Sequence, residues 1–284
     1  MRRIVFEDIS IFVVKHIFHL RFRTAQLSRD SRIMDKLITR MLFHNDGTFF
    51  IPSNNSVSNL KTETIEINQN FTLPKEVVFP SDIIKEMIKK ANHIVIMNKC
   101  LCRRSANCED YPIDLGCIFM GNATKKISRK HCREVSAEEA IEHIDKCNEA
   151  GLIHIMGRNK IDELWMHVSP GEELLTVCNC CPCCCLWRVM PNLSDTIQNK
   201  FYKLPGVSVS IENDDCVLCQ KCLSVCYAKA ISLTDNKIVI DEDICLGCGQ
   251  CSNSCPVNAI QLNYNKDNVQ SVFDKIDSLV NIEN

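Results

Sequence analysis

The chain has 284 residues, 45% of them hydrophobic, and a formal net charge of −2. That length and content support a sizeable core and an expected two domains. Its twenty cysteines would fit a secreted disulfide protein, but the N-terminus argues against that class. The apolar run Ile9 to Leu20 is broken by Lys15, His16 and His19, follows Glu7 and Asp8, and leads to no small-residue cleavage site. It is also shorter than the roughly 20 apolar residues of a membrane-spanning helix. The expectation is reduced thiols in the cytoplasm of an anaerobe.

Residues 1–60 read as a basic, helix-rich N-terminal arm. Nine basic groups against four acidic ones in residues 1–43 give a local balance of +5. Such an arm reads first as helices with a solvated face. Contact with a membrane surface, without integral insertion, or with a partner is the alternative. Nucleic acid is not expected, because the basic residues lack interleaved aromatics and belong to no recognised module.

Residues 61–205 read as a Cys-rich α/β domain. A capped helix is expected from Ser81 to Lys90. A second lies in "SAEEAIEHIDKCNEAG", with Ser136 and Glu139 as a capping box and Gly151 as the stop. Cys147 falls on that helix with Ala140, Ile141 and Ile144, as a core thiol; Cys132 reads as either ligand or filler. "HIVIMN", "LIHIMG" and "LLTV" read as short buried strands, so a small, partly parallel sheet is expected. Just past two of those strands come "MNKCLCRRSANCEDYPIDLGC", with Cys100, Cys102, Cys108 and Cys117, and "TVCNCCPCCCLWR", with Cys178, Cys180, Cys181, Cys183, Cys184 and Cys185.

Disulfides explain the second stretch poorly. Neighbouring Cα atoms stand about 3.8 Å apart, below the usual disulfide separation of about 4.4–6.8 Å. Metal ligation is the better reading, and if both groups sit beyond their strand ends they converge on one site. Ten thiols exceed the four of one [4Fe–4S] cube, so either more than one cluster forms or some thiols are spare and reactive. At least one further iron–sulfur cluster is expected; zinc on Cys100, Cys102, Cys108 and Cys117, or a metal-scavenging thiol group, are the alternatives. Arg103, Arg104 and Arg188 read equally as charge balance for a cluster or as solvated surface. Trp165 and Trp187 read as packing residues, and His131, His154 and His167 as structural before metal-ligating. Without a Walker loop or a G-x-G-x-x-G fingerprint, tight nucleotide binding is not indicated.

Residues 206–264 carry one unit twice. "DCVLCQKCLSVCYAKAISL" from Asp215 and "DICLGCGQCSNSCPVNAIQL" from Asp243 repeat C-x2-C-x2-C-x3-C at an offset of 29 residues, the run of bacterial two-cluster ferredoxins. In that run the fourth cysteine crosses to the other cube. Cys216, Cys219, Cys222 and Cys255 are therefore assigned to one [4Fe–4S] cluster, and Cys245, Cys248, Cys251 and Cys226 to the other. Zinc sites usually come as paired C-x2-C rather than as duplicated triplets. Tyr227 replaces the proline that Pro256 retains, a change next to a ligand rather than of one. Residues 265–284 read as a short amphipathic helical tail.

"NKCLCR", "DYPIDLGCIFMG", "CNCCPCCCLWR", "PGVSV" and the two repeats together resemble a family of two-cluster 4Fe–4S ferredoxin-like proteins of anaerobic bacteria and archaea that carry an upstream Cys-rich domain. The likeness spans roughly residues 75–264. It implies iron–sulfur electron transfer and implies no substrate. The fold class expected is α+β: a C-terminal bacterial-type 2[4Fe–4S] ferredoxin domain, preceded by a Cys-rich α/β domain and a basic helical arm. Three functions follow in order: a one-electron relay to or from a further Cys-ligated centre, working with redox partner proteins; an anaerobic reductase acting at the middle site; and a metal or sulfur carrier.

Overall fold

The computed structural model describes residues 2–58 and 79–283. The boundary expected between residues 60 and 61 lies outside them. The N-terminus is helical: α1 Arg2–Ile17, a 3-10 turn Phe18–Leu20, α2 Arg21–Asp30 and α3 Arg32–Leu42. Ser31 separates the last two, because its extended backbone breaks the helix while its Oγ accepts the Met34 N–H at 3.4 Å. These helices are docked rather than free. Ile11, Val14 and Phe18 are buried with Val95, Met97 and Phe119 of the sheet. α2 is fastened to Asn192 and Ser194 through Gln26 and Ser28. Their outer face keeps apolar side chains in solvent, with Phe12 61% and Ile33 79% exposed.

Seven strands form the central sheet: β1 Gly47–Ile51, β2 Ile94–Met97, β3 Ile118–Met120, β4 Cys132–Glu134, β5 Ile153–Arg158, β6 Leu175–Cys180 and β7 Phe201–Lys203, in the order β4-β2-β3-β6-β5-β1-β7. Only β1 and β7 pair in parallel; the other five pairs are antiparallel. The parallel character expected from the sequence is thus confined to one pair. β1 lies within the first 60 residues, so that segment supplies an inner strand of the sheet as well as helices.

The cysteine groups still meet, for a different reason. β3 pairs antiparallel with both β2 and β6, so β2 and β6 run in one direction and end at the same edge. The chain enters β3 at that edge too, which brings Cys117 alongside Cys100 and Cys180.

Helices cover the sheet. The helix Asp82–Lys90 buries Ile83, Ile84, Met87 and Ile88, each side chain contributing roughly 1.5–3 kcal/mol. Its expected Ser81 cap is not made. Asp82 Oδ2 accepts the Phe79 N–H at 2.8 Å instead. The Ser136–Glu139 capping box is complete on the helix Ala137–Glu149, and Gly151 follows it at φ +69°. His143 takes the buried place expected of Ile141, because its Nε2 hydrogen-bonds the Gly116 carbonyl at 2.9 Å.

The repeated unit folds as β8 Val207–Ile211, a helix Lys221–Val225, β9 Ile231–Thr234, β10 Lys237–Ile240, a helix Gln250–Ser254 and β11 Ile260–Tyr264. β8 pairs with β11 and β9 with β10. The 29-residue repeat is visible in the backbone. Leu218, Gln220 and Lys229 have positive φ, and so do Gly247, Gly249 and Asn258, their counterparts. The second copy uses glycine at two of these positions, whereas all three residues of the first copy meet the requirement without the glycine that makes it cheap. The unit is docked on the sheet domain through Ser53–Ser56: Ser252 Oγ donates to the Ser56 carbonyl at 3.1 Å, and Asn253 Nδ2 to Ser53 Oγ at 3.1 Å. The tail helix Val269–Asp277 buries Val272 and Ile276. Beyond it, Ile282 returns to the core and its carbonyl accepts the Asn92 N–H at 2.9 Å.

β5 crosses β1 so closely at Gly157 that a Cβ there would collide with the Gly47 carbonyl. Gly157→Ala is expected to destabilise the protein by about 1–3 kcal/mol, seen as a lower midpoint in anaerobic thermal denaturation. An unchanged midpoint would show that the crossing has slack.

Candidate metal centres

Two small cavities lie inside the repeated unit. One is lined by Cys216, Cys219, Cys222 and Cys255 among Ile211, Ile238 and Ile260. The other is lined by Cys226, Cys245, Cys248 and Cys251 among Val209, Ile231 and Ile240. In each, three cysteines come from one copy of the repeat and the fourth from the other. The crossing cysteine is held alike in both: the Ala230 N–H donates to Cys226 Sγ, and the Ala259 N–H to Cys255 Sγ, each at 3.2 Å. Four thiols around an apolar hollow, with amide donors aimed at sulfur, suit a [4Fe–4S] cube.

A third hollow lies at the sheet edge where β2 and β6 end. Cys100, Cys102, Cys117, Cys178, Cys180, Cys181 and Cys185 line it, together with Arg103, Asn159, Asp162, Trp165 and Trp187. β6 extends through Cys180, further than the sequence suggested. Strand alternation then puts Cys178 and Cys180 on one face. The thiols touch in series: Cys100 with Cys102, and Cys117 with Cys178, Cys180 and Cys185. Burial pushes the Cys180 and Cys185 thiols up, so a cation is needed to hold them as thiolates.

Arg103 decides what this chamber suits. It is 1% exposed. Nη1 donates to the Asn179 carbonyl at 2.9 Å and Nη2 to the Leu115 carbonyl, while Nε has no hydrogen-bond partner. No carboxylate among the described residues lies within 4.0 Å of it. Burial works against its charge, and the sulfurs of Cys100, Cys181 and Cys180 uphold it. A buried cation without a counter-charge costs several kcal/mol; thiolates on a metal centre would supply that charge.

The remaining cysteines form a separate group. Sγ of Cys108, Cys181, Cys183 and Cys184 all lie within 4.8 Å of one another. The ten cysteines of the two Cys-rich stretches therefore divide into six at the chamber and four here, with Cys181 bordering both. Cys132 lies in the core beside Val95 and Met97, and Cys147 is fully buried behind Cys181 and Cys184.

Residues 209–262 match the family model of the 4Fe-4S dicluster domain. The repeated unit is a 4Fe–4S dicluster domain. No curated protein matches the chain.

The dicluster domain and the chamber meet at Tyr227. Its buried hydroxyl donates to the Cys181 carbonyl at 2.6 Å, and its ring packs edge-on against Phe50. Arg188 adds a second tie, donating to the Cys226 and Ser224 carbonyls at 3.3 and 2.8 Å. Arg104 is exposed. His154 faces Asn179 and Asn148 through its two ring nitrogens, at 2.8 and 3.2 Å. It belongs to a polar network under the chamber that reaches the Gly116 carbonyl through Asn179 Nδ2.

Sequence reasoning did not single out Asn179, Asn148 or Asp162. Asp162 lines the chamber, and its Oδ2 has no hydrogen-bond partner among the described residues. The one signal for it was the Asn159 cap of the short helix Lys160–Trp165, whose Oδ1 accepts the Ile161 N–H.

Two variants test this arrangement. Arg103→Met strips the chamber of its cation and two carbonyls of their donor, and should cost about 3–5 kcal/mol; Arg104→Met, at the surface, should stay within about 0.5 kcal/mol. Equal thermal midpoints for the two would show that the buried Arg103 guanidinium contributes no more to the fold than a surface one. Burial raises the Asp162 carboxyl from 3.8 to about 7. The raised group favours the fold most at low pH, and that contribution is lost as pH climbs from about 4 through 7. Asp162→Asn should thus be more stable than the parent at pH 8 and lose the advantage at pH 5, read from denaturation midpoints.

Proposed function

We propose that the protein is an iron–sulfur electron-transfer protein that relays single electrons through the two clusters of its dicluster domain to or from a third, Cys-ligated centre in the chamber. The observation that carries this reading is the position of Tyr227. It follows Cys226, a ligand candidate of one dicluster site, and its hydroxyl is bonded to Cys181 at the chamber wall.

The two dicluster sites differ in a way that gives the relay a direction in space. Cys219 is exposed, and Val217 and Val257, which line the same site, are 60% and 40% exposed. This outer site is where a redox partner protein would dock. The inner site holds Cys248 and Cys251 against the sheet domain, and Cys248 packs against the apolar cluster that contains Tyr227, Cys180 and Cys185. Electrons would pass from surface to inner site to chamber, or back.

When filled, the cubes supply one-electron redox chemistry. The chain's own residues fix their spacing, donate amide hydrogen bonds to sulfur and keep water out. Arg103 offsets charge accumulated in the chamber. The basic arm offers a membrane surface or a partner a set of exposed apolar and cationic side chains. No described helix is long and apolar enough to cross a membrane.

A reductase reading is favoured by one observation, the buried Asp162 carboxyl at the chamber wall, whose Oδ2 has no hydrogen-bond partner among the described residues. Beside a centre with an open coordination position it would hand a proton to a bound substrate as electrons arrive. Asp162→Asn separates the two readings: a relay keeps its electron-transfer rate, and a reductase loses turnover.

Iron and acid-labile sulfide per chain, measured on protein purified without oxygen, should come to about twelve or more irons with matching sulfide. About eight would fill the dicluster domain alone and end the relay to a third iron–sulfur centre. Tyr227→Phe should retain the iron and slow electron exchange between the dicluster domain and the chamber in rapid-mixing experiments. An unchanged rate would remove the hydroxyl from the route.

A further inference from the structure

The quartet Cys108, Cys181, Cys183 and Cys184 differs in scale from every other thiol group in the molecule. Its four sulfurs lie within 4.8 Å of one another, with Cys183 Sγ 3.6 Å from Cys108 and 3.5 Å from Cys181. Among the described residues no other group of three metal-ligating side chains is so tight. No three sulfurs of either dicluster quartet, and no three of the chamber, lie within that limit of one another. A cube presents four separate irons, each with its own outward-pointing thiolate, so its ligand sulfurs stand well apart. A single tetrahedral ion with metal–sulfur bonds of about 2.3 Å brings its four sulfurs to about 3.8 Å from one another. The quartet has the spacing of the single ion.

We propose that Cys108, Cys181, Cys183 and Cys184 bind one mononuclear, tetrahedral metal ion as a closed tetrathiolate site, separate from the iron–sulfur centres. The surroundings suit such an ion. Backbone N–H groups of Asp110 and Tyr111 point to Cys108 Sγ, and Cys147 and Leu152 close the inner side. The Arg103 guanidinium lies beside Cys181, where it faces the net negative charge that four thiolates leave on a divalent ion. Zinc and a single iron share this ligand chemistry. Either would clamp the loop after Cys102 to the "CPCCC" loop, 75 positions away between Cys108 and Cys183. The clamp holds Cys178, Cys180 and Cys185 in place as the chamber wall.

The test is metal and sulfide analysis of the full chain purified without oxygen, for the parent and for Cys183→Ser and Cys108→Ser. One zinc per chain, or one iron in excess of sulfide, that disappears in both variants while sulfide is unchanged supports the site and says which ion fills it. Loss of about four irons together with four sulfides would make the quartet a cube site and overturn the proposal. No zinc, no excess iron and no change in either variant would overturn it as well. Should both variants fail to fold, cobalt supplied in place of zinc to the parent chain decides the matter. Intense visible bands of tetrahedral, thiolate-bound cobalt support the site, and their absence defeats it.

Discussion

A guanidinium sealed inside the protein, with no carboxylate among the described residues in salt-bridge reach, is the constraint around which the Cys-rich half is arranged. Arg103 has two of its donors on the Asn179 and Leu115 carbonyls, which ties the helix Leu101–Ser105 to the end of β6 and to the turn before β3. Both hydrogen bonds are to neutral groups, so the charge itself is left to the sulfurs around it. The polar network beneath, from Gly116 through Asn179 and His154 to Asn148, keeps those carbonyls in place. It extends to the Asn54 N–H, one residue from the serine that receives the dicluster domain. Charge, network and docking surface form one connected unit.

That connection gives the iron–sulfur half its orientation. The dicluster domain alone would be a symmetric carrier, since its two halves are copies. Docking breaks the symmetry. One site keeps an exposed cysteine, and the other is pressed against the sheet with Tyr227 between it and the chamber. The substitution of a proline by Tyr227 thus falls in the copy whose fourth cysteine belongs to the inner site. The second copy, whose fourth cysteine serves the outer site, keeps Pro256.

Much of the dicluster domain was legible in the sequence because its ligands are local: three of four cysteines lie within seven residues, and the fourth recurs at the repeat length. The helix Ala137–Glu149 was equally legible from its capping box and glycine stop. The chamber was legible as to place but not as to membership. Which of ten thiols share a hollow depends on strand direction and on where β6 ends. Extending that strand by three residues would have separated Cys178 and Cys180 from Asn179 by simple alternation. Arg103 read equally as surface or as counter-charge, because a short helix of this composition does not reveal which side is covered. The covering layer comes from α1, far away in the chain, and from the loop bearing Cys181. Asp162 offered even less, since a carboxylate after an asparagine cap reads first as helix-dipole compensation.

The double tether of the dicluster domain, through Ser53–Ser56 on one side and Tyr227 and Arg188 on the other, bears on kinetics. Many redox proteins join cofactor-bearing modules by a hinge, so that the wait for a productive encounter sets the pace. Here the modules share hydrogen bonds on two sides, and the separation between inner site and chamber is built into the fold. In the proposed relay, exchange across that gap would be governed by distance and driving force, which would leave the meeting with an outside protein at the exposed end as the step that viscosity and ionic strength can slow.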